Sequence, residues 1–196
     1  MSTIDFLLAQ IQGEMQVLNA NETATIIGGG VENQHPTQDK KPTLPDNGTM
    51  YGVFDRSDSK ITMFWDGGTP DDKSDDVAMF SGKAHNNVTR SSNGQWPNGE
   101  YSMLDRSGSH LHPNASWKDT ASGAYGESGI YRANPFYDDN SGITRNGMGV
   151  HSGRENIKDF ENRKTEGCIR VEQETMDAID EKTKAGWKWD KIIVQD

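Results

Sequence analysis

The sequence predicts a mainly β domain, a sandwich or barrel with one or two short helices, preceded by a separate N-terminal helix. Three observations lead there. Short alternating or β-branched runs recur between clusters of Gly, Asn, Asp and Ser, as strands joined by turns do. Twenty-one glycines spread over 196 residues suit many tight turns. Helical spacing of apolar residues is confined to the N-terminus and to one stretch near the C-terminus.

Within residues 1–29, Ile4, Leu7, Leu8, Ile11, Met15 and Leu18 form one apolar stripe on a helix. This stretch contains no Lys or Arg and no long apolar core, unlike a Sec signal peptide. It closes on Leu18, Glu22, Ile26, Ile27, Gly28 and Gly29. Those positions resemble a double-glycine leader, although Thr23 stands where such leaders usually carry an apolar residue. The resemblance implies cleavage after Gly29 by a C39-type peptidase, or docking on a related adaptor. The plain alternative is a helix ending at a glycine cap. Residues 30–47 are polar, carry Pro36, Pro42 and Pro45, and read as a linker to a domain spanning 48–196.

That domain opens with strands at 49–54 and 60–65, joined by a turn at 55–59. The aspartates of 66–76 suit Ca²⁺ in type, but they lack EF-hand spacing and its terminal Glu. They read as a solvated acidic turn. Strands follow at 77–81 and 100–104. Residues 105–140 are too long for a mere connection and hold Trp117, Tyr125, Tyr131, Phe136 and Tyr137. They read as a lid or substrate wall, or as core aromatics beneath a long loop. Residues 143–150 read as one glycine-bearing strand ending at His151. A helix is expected over 175–184, with Thr175 as N-cap and Gly186 past its end. A last strand is expected over 191–194.

Cys168 is the only cysteine, which excludes an intrachain disulfide and a Cys-rich zinc site. His151 lies 17 positions before it and Arg170 two after. A thiol becomes a nucleophile when a base takes its proton or a nearby cation lowers its pKa. In a strand starting at Gly167, Cys168 and Arg170 share one face while Ile169 and Val171 point into a core. A lone cysteine is otherwise a small buried hydrophobe.

At His151, Ser152, Thr165, Gly167, Cys168 and Arg170 the chain resembles the L,D-transpeptidase (YkuD-type) catalytic domain. Glu166 departs from the pattern, since many members carry a second histidine there. Upstream, Phe80-Ser81-Gly82-Lys83 and Trp96-Pro97-Asn98-Gly99-Glu100-Tyr101 are similar to another segment of that family. The resemblance implies an L,D-transpeptidase-like fold and a cysteine acyltransferase. Its substrate would be the peptidoglycan stem tetrapeptide, attacked at the L,D bond before the terminal D-alanine. In that reading Cys168 is the nucleophile and His151 the base, oriented through a backbone carbonyl at Ser152. Backbone N–H groups at Gly167 and Cys168 hold the oxyanion. Arg170 favours the thiolate or grips a substrate carboxylate. Tyr131, Trp96, Ser81, Gly82, Thr165 and Glu166 are the expected substrate contacts.

A net charge of −10 argues against nucleic acid and against anionic lipid as partners, and no run of eighteen apolar residues occurs. His110-Leu111-His112 lacks a third ligand in sequence, so neither metal nor cofactor is expected. His35 and His85 lie in polar turns and suggest nothing. A leader joined to a small wall-attacking domain resembles an exported antibacterial effector. It would be secreted, act in the periplasm or wall of a target cell, and be matched by an immunity protein. Two rivals stand beside this reading. One is a non-catalytic peptidoglycan-binding protein or bacteriocin on the same fold. The other is a cysteine peptidase acting on proteins.

Overall fold

The computed structural model describes residues 43–89, 94–106 and 118–196. The leader reading, Gly28 and Gly29 included, and the linker up to residue 42 lie outside the described residues, as do His35, His110, His112 and Trp117. Of the linker's described end, Leu44 packs against the core.

Among the described residues, ten strands and one α-helix follow in order. They are β1 (Thr49–Asp55), β2 (Lys60–Trp65), β3 (Val77–His85), β4 (Gly99–Ser102), β5 (Ile130–Arg132), β6 (Phe136–Asp138), β7 (Ile143–Arg145), β8 (Gly149–His151), β9 (Ile169–Val171), α1 (Gln173–Lys184) and β10 (Lys188–Gln195). Eight strands form one sheet in the order β4-β10-β1-β2-β3-β9-β8-β5, curled into a half-barrel, and β6 pairs with β7 alone. The expected mainly β class is observed, with one of the one or two short helices expected in the domain.

β1 and β2 form the expected antiparallel hairpin. β3 runs on to His85, beyond its expected end, because Ala84 and His85 find partners in Val171 and Arg170 of β9. Residues 143–150 are not one strand: Gly147 adopts φ 71° and divides them into β7 and β8. A left-handed residue cannot continue a pleat. β10 is longer than expected and runs parallel to β1.

The helix begins earlier than expected, with Glu172 rather than Thr175 as its N-cap. Thr175 is buried in the first turn, and its Oγ1 would stand 1.8 Å from a Cβ placed on Gly82. Gly82 therefore serves the close approach of α1 to β3, and Ser81 is exposed beside it, paired with Thr62. Neither borders the cleft described below, contrary to their expected substrate role.

Met176 and Ile179 on α1, Met50 and Phe54 on β1, Val150 on β8, and Ile169 and Val171 on β9 are fully buried and share one core. Burial of each such side chain contributes about 1.5–3 kcal/mol. Two further expected substrate contacts belong to this core. Trp96 is wholly buried and stacks on Phe136 with ring centroids 5.8 Å apart. Tyr131 is buried on β5, with its hydroxyl donating to Asp180 at 2.9 Å. Large rings bury more apolar area in a core than a groove would allow, and the tyrosine hydroxyl still finds a partner.

Residues 105–140 are not a single lid, since β5 and β6 lie within them. In the acidic turn, Asp66 accepts from the Gly68 N–H and Asp72 from the Ser74 N–H and hydroxyl, so these carboxylates brace the backbone. Among the described residues no helix is long and apolar enough to cross a membrane.

Candidate active site

β8 and β9 run parallel, with Val150 opposite Ile169 and His151 opposite Arg170. Cys168 precedes β9, two positions before Arg170, and therefore looks out from the same face as Arg170 and His151. This register sets the sulfur and the imidazole one diagonal step apart on neighbouring strands. Ile169, Val150 and Val171 alternate into the core. Cys168 and His151 both border one cleft of about 610 Å³.

The imidazole of His151 is only 2% exposed. Its Nδ1 lies 2.9 Å from the carbonyl oxygen of Ser152. A carbonyl can only accept, so Nδ1 carries the proton and Nε2 keeps a lone pair. Tyr125 closes over the ring edge-on, with centroids 5.0 Å apart. Burial, with help from the charge of Arg170, pushes the imidazole pKa down to about 3. The ring is neutral at pH 7, with a lone pair on Nε2 that can accept a proton.

Burial also pushes the Cys168 thiol up, against the Gly149 N–H that hydrogen-bonds the sulfur and the charges of Arg170, Arg145 and Arg132. The expected lowering by Arg170 is present, but burial outweighs it in the resting site. The sulfur lies 3.8 Å from the Gly147 carbonyl. The resting pair is a neutral thiol and a neutral imidazole.

Arg170 is 1% exposed, and its donors go to backbone carbonyls. Nε bonds Arg163 at 2.7 Å, Nη1 bonds Ser152 and Gly153, and Nη2 bonds Ala124 at 3.2 Å. It clamps the backbone just after His151 to the segments at Ala124 and Arg163, and these bonds compete with any grip on a substrate carboxylate. Its charge still favours the thiolate.

Ser152 contributes its carbonyl to His151 and its hydroxyl to Gln173 Oε1 at 2.6 Å. Gln173 in turn donates to Asp177 at 2.6 Å, which ties the histidine to the start of α1. Thr165 and Glu166 border the cleft. The Thr165 hydroxyl donates to the Cys168 carbonyl at 2.8 Å. It also receives the Gly167 N–H at 3.3 Å, so that expected oxyanion donor already has a partner. Gly167 sits at φ 134°, and a Cβ there would lie 2.6 Å from Arg145 Nη2.

Three positioning residues escape the sequence reading. Asn86 donates to the carbonyls of Gly167 and Cys168, both at 2.8 Å, and accepts from the Trp96 N–H. It pins the backbone that carries Cys168. His85, read as an uninformative turn residue, is buried and packs on Phe160, donating to its carbonyl at 2.9 Å. Arg145 is buried against Asp138 at 3.3 Å and donates to the carbonyls of Gln95 and Gly94, both at 2.7 Å. No local signal marks these residues, because their partners are brought in by the sheet. Among the described residues no three His, Cys, Asp or Glu side chains gather as metal ligands.

No protein-family model matches this sequence, and no curated protein matches it. Solved structures do. Bd1075 of Bdellovibrio bacteriovorus superposes with a TM-score of 0.52 at 15% identity, over 75% of this chain and 48% of that one. The helical cell shape determining protein Pgp2 of Campylobacter jejuni gives 0.52 at 14% identity, over 76% and 48%. This chain is similar to both in fold. At such identity the likeness is one of fold alone, and the chain spans about half the length of each. An L,D-transpeptidase from Mycobacterium smegmatis aligns more loosely, with a TM-score of 0.41 at 16% identity over 75% of this chain and 58% of that one. A likeness at that level does not by itself establish a shared fold.

Proposed function

We propose that residues 48–196 form an L,D-transpeptidase-like cysteine acyltransferase acting on peptidoglycan stem peptides. One observation carries the reading: Cys168 and His151 face one cleft from adjacent parallel strands, with the free nitrogen of His151 available as a base. The motif resemblance at those residues and the fold shared with a cell shape determining protein support the substrate class.

The chemistry is acyl transfer in two halves. His151 Nε2 takes the thiol proton as the sulfur attacks the carbonyl carbon before the terminal D-amino acid. A C–S bond forms. The C–N bond then breaks, and the proton on Nε2 passes to the leaving amine. Water or an incoming amine attacks the thioester, releasing the sulfur and returning a proton to it. Hydrolysis gives an L,D-carboxypeptidase and an incoming D-amino acid gives exchange. A second stem peptide gives a cross-link.

The double-glycine leader motif supports export as an antibacterial effector. The producer would then need an immunity protein, with a C39-type peptidase or adaptor acting on Gly28-Gly29. Incubating the protein with tetrapeptide muropeptides, with and without a free D-amino acid, and reading products by mass spectrometry tests the enzyme. Tripeptide or exchanged product is expected from the wild type and none from Cys168→Ala. Binding without product in the wild type would favour the non-catalytic wall-binding reading, and cleavage of casein a protein peptidase.

A further inference from the structure

Two arginines beside the thiol have their donors committed: Arg145 to Asp138 and two carbonyls, Arg170 to four carbonyls. Arg154 differs. Its side chain borders the same cleft, yet no hydrogen bond or ion pair holds its guanidinium among the described residues. Scarcity of anions is not the reason, since the chain has 30 Asp and Glu against 20 Lys and Arg.

Its backbone is held at φ 57°, directly after Gly153 at φ 89°. Only Ser59 shares this left-handed state with it among the described non-glycine residues. The Arg154 N–H bonds the Gly123 carbonyl at 2.8 Å, and its carbonyl receives the Ile157 N–H at 2.9 Å. Glycine would rest there without strain, but the position carries a long cation. Both backbone bonds fix where the guanidinium starts.

Position adds a direction. His151 must hand its proton to the leaving amine, so the leaving amino acid lies on the imidazole side of the sulfur. The α-carboxylate of that amino acid is two bonds from its amine. Arg154 is three residues past His151, and its charge acts on that ring. A cation beside the base is thus placed for the carboxylate of the departing residue, and a guanidinium fork fits a carboxylate with two parallel hydrogen bonds.

We infer that Arg154 is the specificity residue of the cleft, binding the free α-carboxylate of the chain-terminal amino acid and making the enzyme exo-acting. This rests on the acyltransferase reading above and narrows it. Removal or exchange of a terminal residue is favoured, and attack on an internal bond is not. A free D-amino acid entering for exchange would use the same contact.

The test compares one tetrapeptide muropeptide bearing a C-terminal carboxylate with its C-terminal amide. Wild type should turn over the acid at least tenfold better in kcat/KM. Arg154→Gly, whose backbone suits φ 57°, should lose that preference by slowing on the acid alone, with an unchanged melting temperature. Arg154→Lys should restore part of it. Binding of both peptides to Cys168→Ala, with and without Arg154→Gly, is measured by calorimetry as a readout independent of turnover. Tighter binding of the acid that vanishes with Arg154→Gly upholds the inference even if no turnover is found, in which case only the enzyme reading fails. Turnover without an acid preference, or a preference surviving Arg154→Gly, overturns the inference and leaves the enzyme reading standing. Equal slowing on acid and amide also overturns it, because the role would then be structural.

Discussion

Nδ1 of His151 sits 2.9 Å from the carbonyl oxygen of Ser152, and this contact decides which ring nitrogen is free to act. The same carbonyl accepts from Arg170, so one backbone oxygen sets both the tautomer of the base and the seat of the clamp.

Because the imidazole is held neutral and the thiol pKa is raised, the resting site is not a thiolate–imidazolium pair. Iodoacetamide should alkylate Cys168 more slowly at pH 7 than it does an unstructured cysteine peptide. The rate should climb with pH through and beyond the ordinary thiol range. His151→Ala should change this resting rate little while lowering turnover by about 10²–10⁴-fold. A plateau of fast alkylation below pH 6 would show that an ion pair exists at rest.

Asn86 is 1% exposed and bridges the Gly167 and Cys168 carbonyls to the Trp96 N–H. Asn86→Ala leaves those groups without their partner and should cost about 2–4 kcal/mol. Asn86→Asp should do no better, since it sets an acceptor against two carbonyls. Denaturant melts give the stability change. Turnover in the fraction still folded should fall as well, because the nucleophile's backbone loses its anchor.

A Cβ on Gly126 would meet the Ser152 hydroxyl at 1.9 Å, and φ there is 76°. Gly126→Ala should displace Ser152 and with it the anchor of His151, costing more than about 1 kcal/mol and most of the activity. Gly68→Ala is the control: its φ is 88°, but nothing lies within 4 Å of the added carbon. That variant should lose some stability and keep full turnover.

The buried histidines make the fold acid-sensitive. Burial pushes His85 down to about 4 and His151 to about 3, from an ordinary 6.5. Between pH 6.5 and those values the unfolded chain binds protons that the folded one does not. Stability therefore rises with pH across this window and is lost as pH falls through it. Carboxyls held below their usual range, among them Asp138 and Asp55, add loss in the same direction at lower pH. Urea melts from pH 7 to pH 4 should show a steady decline. Replacing His151 by Gln should flatten it.

The strand pattern was readable locally because side-chain alternation belongs to the chain itself. β2 runs over the expected residues, and β1 extends one residue past its expected end. The division of 143–150 was not readable, since alternation does not report that Gly147 turns left-handed. Thr175 has the chemistry of an N-cap, yet packing against Gly82 draws it into the first turn and leaves Glu172 at the boundary.

By itself the sequence set Cys168 and Arg170 on one face of a strand and His151 at the end of another, because alternation is a property of neighbouring residues. That they could meet was an expectation drawn from a family resemblance. Only the tertiary structure decided their duties. Parallel pairing of β8 with β9 sets Arg170 beside His151, where carbonyls take its donors, while among the described residues no hydrogen bond or ion pair holds the Arg154 side chain. Pairing of β3 with β9 brings Asn86 from 81 residues away to hold the Gly167 carbonyl beside Cys168. Desolvation and hydrogen-bond satisfaction depend on which distant segments cover a group, and no local pattern records that.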